Sequence, residues 1–224
     1  MSSRKLSELI DTHGSAWNLI KEWIKAARNK IEILPSDRTQ SESTLFQLQI
    51  TTRSPMGAVA LETGGILIDH GWLRFLGSGN IRMTEGLLSW NGLTNNSLIT
   101  PIKGAFVVAH DAVGGFFAIN GGAFPGPMKN IYYLAPDTLV WENLDRTYSD
   151  LLNWAFHGNL EKFYQNARWM EWQSDMLNLT GDQGILIYPP LWAEGLSVTE
   201  RQRKIVPMYE LWTLHSQGLP KQKN

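Results

Sequence analysis

The stretch Ala105-Phe-Val-Val-Ala-His-Asp-Ala-Val-Gly-Gly-Phe-Phe-Ala-Ile119 decides the fold class. Two β-compatible apolar runs, Ala105 to His110 and Phe116 to Ile119, flank Asp111-Ala-Val-Gly-Gly115. A short connection with glycine, which reaches positive φ at no steric cost, predicts an antiparallel hairpin. A second hairpin is predicted downstream, where Ala135-Pro-Asp-Thr138 joins Ile131-Tyr-Tyr-Leu134 to Leu139-Val-Trp-Glu142. Its Pro-Asp pair is a turn signal. Between the hairpins, Gly121-Gly-Ala-Phe-Pro-Gly-Pro127 reads as irregular loop.

Upstream, Gly57-Ala-Val-Ala-Leu61 and Gly65-Ile-Leu-Ile68 read as further strands, and Gly71 to Leu76 alternates towards a glycine turn at Gly77-Ser-Gly79. Residues 15–29 carry Trp17, Ile20, Ile24 and Ala27 at helical spacing, with Ser15 as the cap. Ile31 to Leu34 is strand-like, and a helix is expected from Thr39 to Gln49 with Leu45, Phe46 and Leu48 as its apolar face. A short helix follows near Thr84 to Asn91. Thr147 caps a helix through His157, and Asn159 restarts one through Arg168. Asp182 to Tyr188 reads as a strand and Pro207 to His215 as a terminal helix. The sum is an α+β fold, a mostly antiparallel sheet with helices before and after it. One domain spans 1–224, with a core over about 15–168 and a C-terminal extension over 169–224.

Composition narrows the function classes. The hydrophobic fraction is 43%, the value of a globular chain. No apolar run reaches the ~18–20 residues that span a bilayer, and Glu8 and Asp11 interrupt any signal core behind the basic N-terminus. There is no cysteine, hence no disulfide and no thiolate, and the cytoplasm is the expected compartment. The formal charge is −1 with both signs dispersed, unlike a nucleic-acid binder. Only Arg201-Gln-Arg-Lys204 and Lys221-Gln-Lys223 are locally basic, and a solvated, frayed terminus explains them. Of the ten tryptophans most are expected in the core, where an exposed one would mark a contact surface.

The chemistry-bearing patterns are weak. Gly77-Ser-Gly79 lacks the spacing of a nucleophile elbow, and neither it nor Gly114-Gly115 leads into a phosphate-binding helix. Asp69-His70 and His110-Asp111 each pair a carboxylate with an imidazole, but neighbours on a strand point to opposite faces, so no metal ligand set is assigned and no cofactor is expected. Glu62 and Asp69 are the pair that could flank a hydrolytic cleft. The densest mixture of glycine, charge and aromatic residues runs from Glu62 to Gly79. There Trp72 and Arg74 share one strand face, an exposed pair of the kind found in recognition hot spots. A buried Trp72 with Arg74 tied to a nearby acid is the alternative.

Thr51-Thr-Arg-Ser-Pro-Met-Gly57, Glu62 to Gly79, Asp111 to Gly122, Tyr132-Tyr-Leu-Ala-Pro-Asp-Thr-Leu-Val-Trp-Glu142 and Gly181-Asp-Gln-Gly184 together resemble a bacterial family known only as a domain of unknown function. The order of elements also resembles, more faintly, the SUKH superfamily of largely non-enzymatic α+β proteins. Many of these are immunity proteins that neutralise toxins through a surface around the sheet. The expected function is therefore a non-catalytic binding protein of toxin-immunity type. Its partner would be another protein, and its binding residues Asp69, His70, Trp72 and Arg74, with Asp111 and Asn120 as second choices. The alternative is a hydrolase of sugars or nucleotides using Glu62, Asp69, His70 or His110. A homodimer held by Trp72 is the third reading.

Overall fold

The computed structural model describes residues 3–95 and 97–217. The chain runs α1 (Leu6–Leu9), α2 (Trp17–Lys25), β1 (Ile31–Pro35), α3 (Arg38–Leu48), α4 (Pro55–Glu62), β2 (Thr63–Ile68), β3 (Leu73–Leu76) and α5 (Leu87–Trp90). It continues through β4 (Ala105–Asp111), β5 (Phe116–Asn120), β6 (Ile131–Leu134), β7 (Trp141–Asn143), α6 (Tyr148–His157) and α7 (Leu160–Phe163). Then follow α8 (Trp172–Met176), β8 (Gln183–Tyr188), β9 (Gln202–Pro207) and α9 (Met208–Gln217).

Strands β1 to β7 form one sheet in sequence order, every pair antiparallel. Both expected hairpins are present. Gly114 adopts φ +83°, and a side chain at Gly115 would collide with the Asp111 carboxylate at 2.1 Å, so this turn demands its glycine pair. Thr147 caps α6 with a reciprocal bond from Asp150, the capping box. The α+β class is as expected.

Strands β2, β3 and β6 are buried along their whole length. The register puts Ile66, Phe75, Ala109, Phe117 and Tyr133 on one face. There Phe75 meets Tyr148 of α6 edge-on at 5.9 Å, and α2, α4 and α6 pack against one another. On the other face the row Glu32, Leu67, Arg74, His110, Phe116 crosses the sheet. Trp90 of α5 and Trp212 of α9 cover its centre, with ring centroids 5.4 and 4.9 Å from Phe116. Covering both faces hides the period-2 alternation that a one-sided sheet would display.

Three expectations are corrected. Residues 57–61 form helix α4, not a strand: the Ser54 hydroxyl accepts from Gly57 N, and Pro55 follows at the first helical position. Because α4 is buried nearly all round, it shows no helical period either. In α3 the buried residues are Ser41, Thr44 and Leu45, while Phe46 faces solvent. Residues 201–204 are not frayed. Arg201 is buried, donating to the carbonyls of Leu196, Pro189, Pro190 and Ala193, and β9 pairs with β8. Lys221 to Lys223 lie outside the described residues.

Candidate functional site

The turn between β2 and β3 is built from three consecutive left-handed residues, Asp69 (φ 51°), His70 (60°) and Gly71 (82°). Asp and His tolerate this region better than most residues. Asp69 N donates to Lys30 O at 2.8 Å and Trp72 N to Asp69 O at 3.1 Å, which holds the turn against β1. The turn turns His70 out to solvent and Trp72 inward.

Behind the turn lies a packed cation. Arg168 Nη2 donates to the Asp69 carboxylate at 2.6 Å. Its guanidinium lies 3.9 Å from the Trp172 ring, 4.9 Å from Trp72 and 5.1 Å from Tyr164. Trp169 closes the cluster, 5.7 Å from Trp72. Tyr164, Arg168 and Trp172 recur every four residues, and Arg168 N bonds Tyr164 O at 3.0 Å. That spacing was the available signal for a cluster that reading the Glu62–Gly79 stretch alone misses. Trp72 Nε1, Tyr164 Oη and Arg168 Nε are buried here without a partner among the described residues, a set that ordered water commonly serves. Burial drives the Tyr164 hydroxyl well above its usual range.

Arg74 is also buried, at 2% exposure. Its Nε donates to Gly71 O at 2.7 Å, and Nη1 donates to Gly181 O at 3.1 Å and to Gln183 O. Nη2 has no partner among the described residues. Burial lowers the guanidinium to about 10, with Asp111 and Asp182 opposing the shift, so Arg74 remains a cation at neutral pH. It lines an open cavity of about 130 Å³ at the β1–β2 side of the covered sheet face. Lys30, Glu32, His70, Arg82, Leu67 and Leu177 are among the other lining residues. Arg82 and Glu32 form a forked ion pair, about half exposed on each side. Lys30 has no ion pair among the described residues. Three cations thus surround one carboxylate.

The expected site residues divide. Asp69, His70 and Arg74 meet at this end of the sheet, joined by Lys30, Arg82 and Leu177, which sequence reasoning did not select. Trp72 and Arg74 are not an exposed pair. Trp72 is fully buried, so it can be neither a surface hot spot nor a dimer contact. Of the ten tryptophans, Trp192 alone ranks as exposed, at 37%.

Asp111 is a turn lock, accepting from Val113 N at 3.1 Å, Gly115 N at 2.8 Å and Tyr133 Oη at 2.7 Å. Burial raises its pKa, against those three bonds. Asn120 is a loop lock, bonding Gly122 N and Phe124 N through its oxygen and the carbonyls of Phe124 and Pro127 through its nitrogen. Both are buried, so neither can be a contact residue. His110 sits between Trp90 at 5.3 Å and Phe116 at 6.2 Å with both ring nitrogens unpaired among the described residues, and burial drives its pKa well below the usual value. It has no access to substrate. Glu62 ends α4 and Asp69 follows β2, so a strand of six residues, about 20 Å, separates them. They do not flank a common cleft. Among the described residues no group of three or more His, Asp or Glu side chains is placed to hold a metal ion. No described helix is long and apolar enough to cross a membrane.

The model of the family described as "Protein of unknown function DUF2625" matches residues 6–211. The chain is 41% identical over 214 residues to the "Putative uncharacterized protein YbfG" of Escherichia coli (strain K12), covering 96% of each chain. It is also 41% identical over 202 residues to an "Uncharacterized protein" of Haemophilus influenzae, covering 90% of this chain and 89% of that one. No solved structure matches.

Proposed function

We propose that this chain, which belongs to the DUF2625 family of proteins of unknown function, is a non-catalytic cytoplasmic binding protein that docks a protein partner beside the β2–β3 turn. One observation carries the reading. Leu177, 78% exposed, lines a cavity with a buried arginine in its wall, and Ile81, 90% exposed, is the chain neighbour of Arg82 in that wall. Isolated exposed apolar residues are ordinary. A buried arginine is a residue type enriched in interface hot spots, and apolar neighbours of this kind supply the surround that excludes water from such an anchor. The surplus of positive charge favours an acidic partner surface and fast association. The immunity-type role that the SUKH pattern implies is the special case in which that partner is a toxin.

The test is capture by the tagged protein from lysate, comparing wild type with the double variant Ile81→Glu/Leu177→Glu and with Val140→Glu, an exposed apolar site on the loop before β7. The expected outcome is a stoichiometric protein bound by wild type and by Val140→Glu, with retention by the double variant reduced about tenfold or more. All three proteins should melt alike, since the altered side chains face solvent. Equal retention by the double variant, or equal loss in Val140→Glu, removes this face from the reading.

A further inference from the structure

We infer that the cavity beside the β2–β3 turn is a carboxylate pocket, which takes an acid group on a short apolar stem from the protein partner, with Arg74 Nη2 and Lys30 Nζ as its donors. The inference rests on the binding reading above and names the chemistry of that site.

A guanidinium offers five N–H donors. In Arg74 three face the carbonyls of Gly71, Gly181 and Gln183, and the two on Nη2 face none among the described residues. An almost fully buried cation with two unused donors beside open space is costly unless something accepts from it. The surroundings select the acceptor. Arg82 already holds Glu32 in a fork, so its charge is answered within the fold. Lys30 is exposed and unpaired among the described residues, and it lines the same space. Its ammonium and Arg74 Nη2 suit the two oxygens of a carboxylate by charge-assisted bonds.

The rest of the wall is apolar at Leu67, Met176, Leu177 and Leu179 and polar at His70 and Thr180. A phosphate dianion would present oxygens to the four apolar side chains as well, and these offer it no donors. A carboxyl group on an aliphatic stem places oxygen towards the cations and carbon towards the leucines. That is the chemistry of a glutamate side chain or a chain terminus. The occupant is acidic because the cavity's cations outnumber its single carboxylate.

Butyrate is the probe, with butyramide as its uncharged counterpart and inorganic phosphate as the tetrahedral anion, all at constant ionic strength. The 15N-labelled protein is followed through the amides of Gly71 and Gly181 and through Arg74 Nε. Butyrate is expected to shift all three saturably, while butyramide and phosphate leave them in place. Lys30→Ala, altering an exposed side chain, should weaken butyrate about tenfold without changing the remainder of the spectrum. Absence of saturable shifts with butyrate overturns the inference. So does butyramide binding equally well, or phosphate binding more tightly. If butyrate is silent while capture still depends on Ile81 and Leu177, the carboxylate pocket falls and the binding reading stands. If butyrate binds and no partner is captured, the partner as source of the acid falls, leaving a pocket for a small free acid.

Discussion

Replacing Arg168 with alanine is expected to destabilise the protein by about 3–5 kcal/mol, the usual cost of removing one partner from a buried ion pair. The side chain of Arg168 is 4% exposed and that of Asp69 is 20% exposed, so solvent screens the pair only on the aspartate side. Beyond the charge, the guanidinium fills the space among Trp172, Trp72 and Tyr164, and alanine leaves a cavity lined by three aromatic faces. It also frees the segment that carries Trp169 and Trp172 from the β2–β3 turn. Arg168→Lys keeps the charge but not the plane that stacks on Trp172, and should lose an intermediate amount. Asp69→Asn should also be costly, because it leaves the buried guanidinium with only the exposed Glu161 carboxylate at 3.3 Å, although asparagine keeps the left-handed backbone. Urea denaturation of the three variants reads the series directly. An Arg168→Ala loss below about 1 kcal/mol would place the pair with ordinary surface contacts and remove it as the lock of the C-terminal segment.

The same cluster shows where the sequence is legible and where it is not. The β4–β5 hairpin could be read because its turn obeys local chemistry: Gly114 supplies a positive φ and Gly115 leaves room for Asp111. Thr147 and Asp150 likewise announce α6 within four residues. Such features depend on neighbours in the chain. The fate of Trp72 and Arg74 depends on residues about a hundred positions later, Arg168, Trp172, Gly181 and Gln183, and no local pattern carries that pairing. Helix α4 was read as a strand because its residues Gly57 to Leu61 are all buried, and a helix apolar on every side has no period. Asp111 and Asn120, the second-choice binding residues of the sequence, stand at strand ends. Here each turns back to hold its own loop. The basic run at 201–204 was read as solvated because charge suggests exposure, yet four backbone carbonyls serve Arg201 in place of water. In the candidate site, the turn residues Asp69 and His70 were legible. The cavity wall was not, since it joins β1, the loop before α5 and the segment after α8.

Stability is expected to fall as the pH drops below 6.5, with His110 as a principal cause. His110 is enclosed by Trp90 and Phe116, and the Arg74 charge adds to burial in opposing protonation, so its folded pKa lies well below 6.5. The sign follows from proton counting. Above 6.5 the imidazole is neutral in folded and unfolded chains alike, and stability is insensitive to it. Below 6.5 the unfolded chain binds a proton that the folded chain refuses, which costs about 1.4 kcal/mol per pH unit until the folded pKa is reached. His215, buried under β8 and bonded to Gly114 O at 2.7 Å, is shifted the same way. His215 therefore adds to the fall below pH 6.5, and the two together should make it steeper than the ~1.4 kcal/mol per unit of one histidine. Asp111 acts in the opposite sense, because its raised pKa lets the folded chain bind a proton first and so offsets part of the loss. His110→Leu separates the contributions. It removes two unpaired ring nitrogens from the core, so stability at pH 7 should be unchanged or higher. The slope between pH 6 and 5 should fall by about 1.4 kcal/mol per unit, leaving the part carried by His215. Urea midpoints across that range measure both quantities. An unchanged slope in His110→Leu would show that His110 is protonated within the folded protein, and the closed aromatic packing around it would then be wrong.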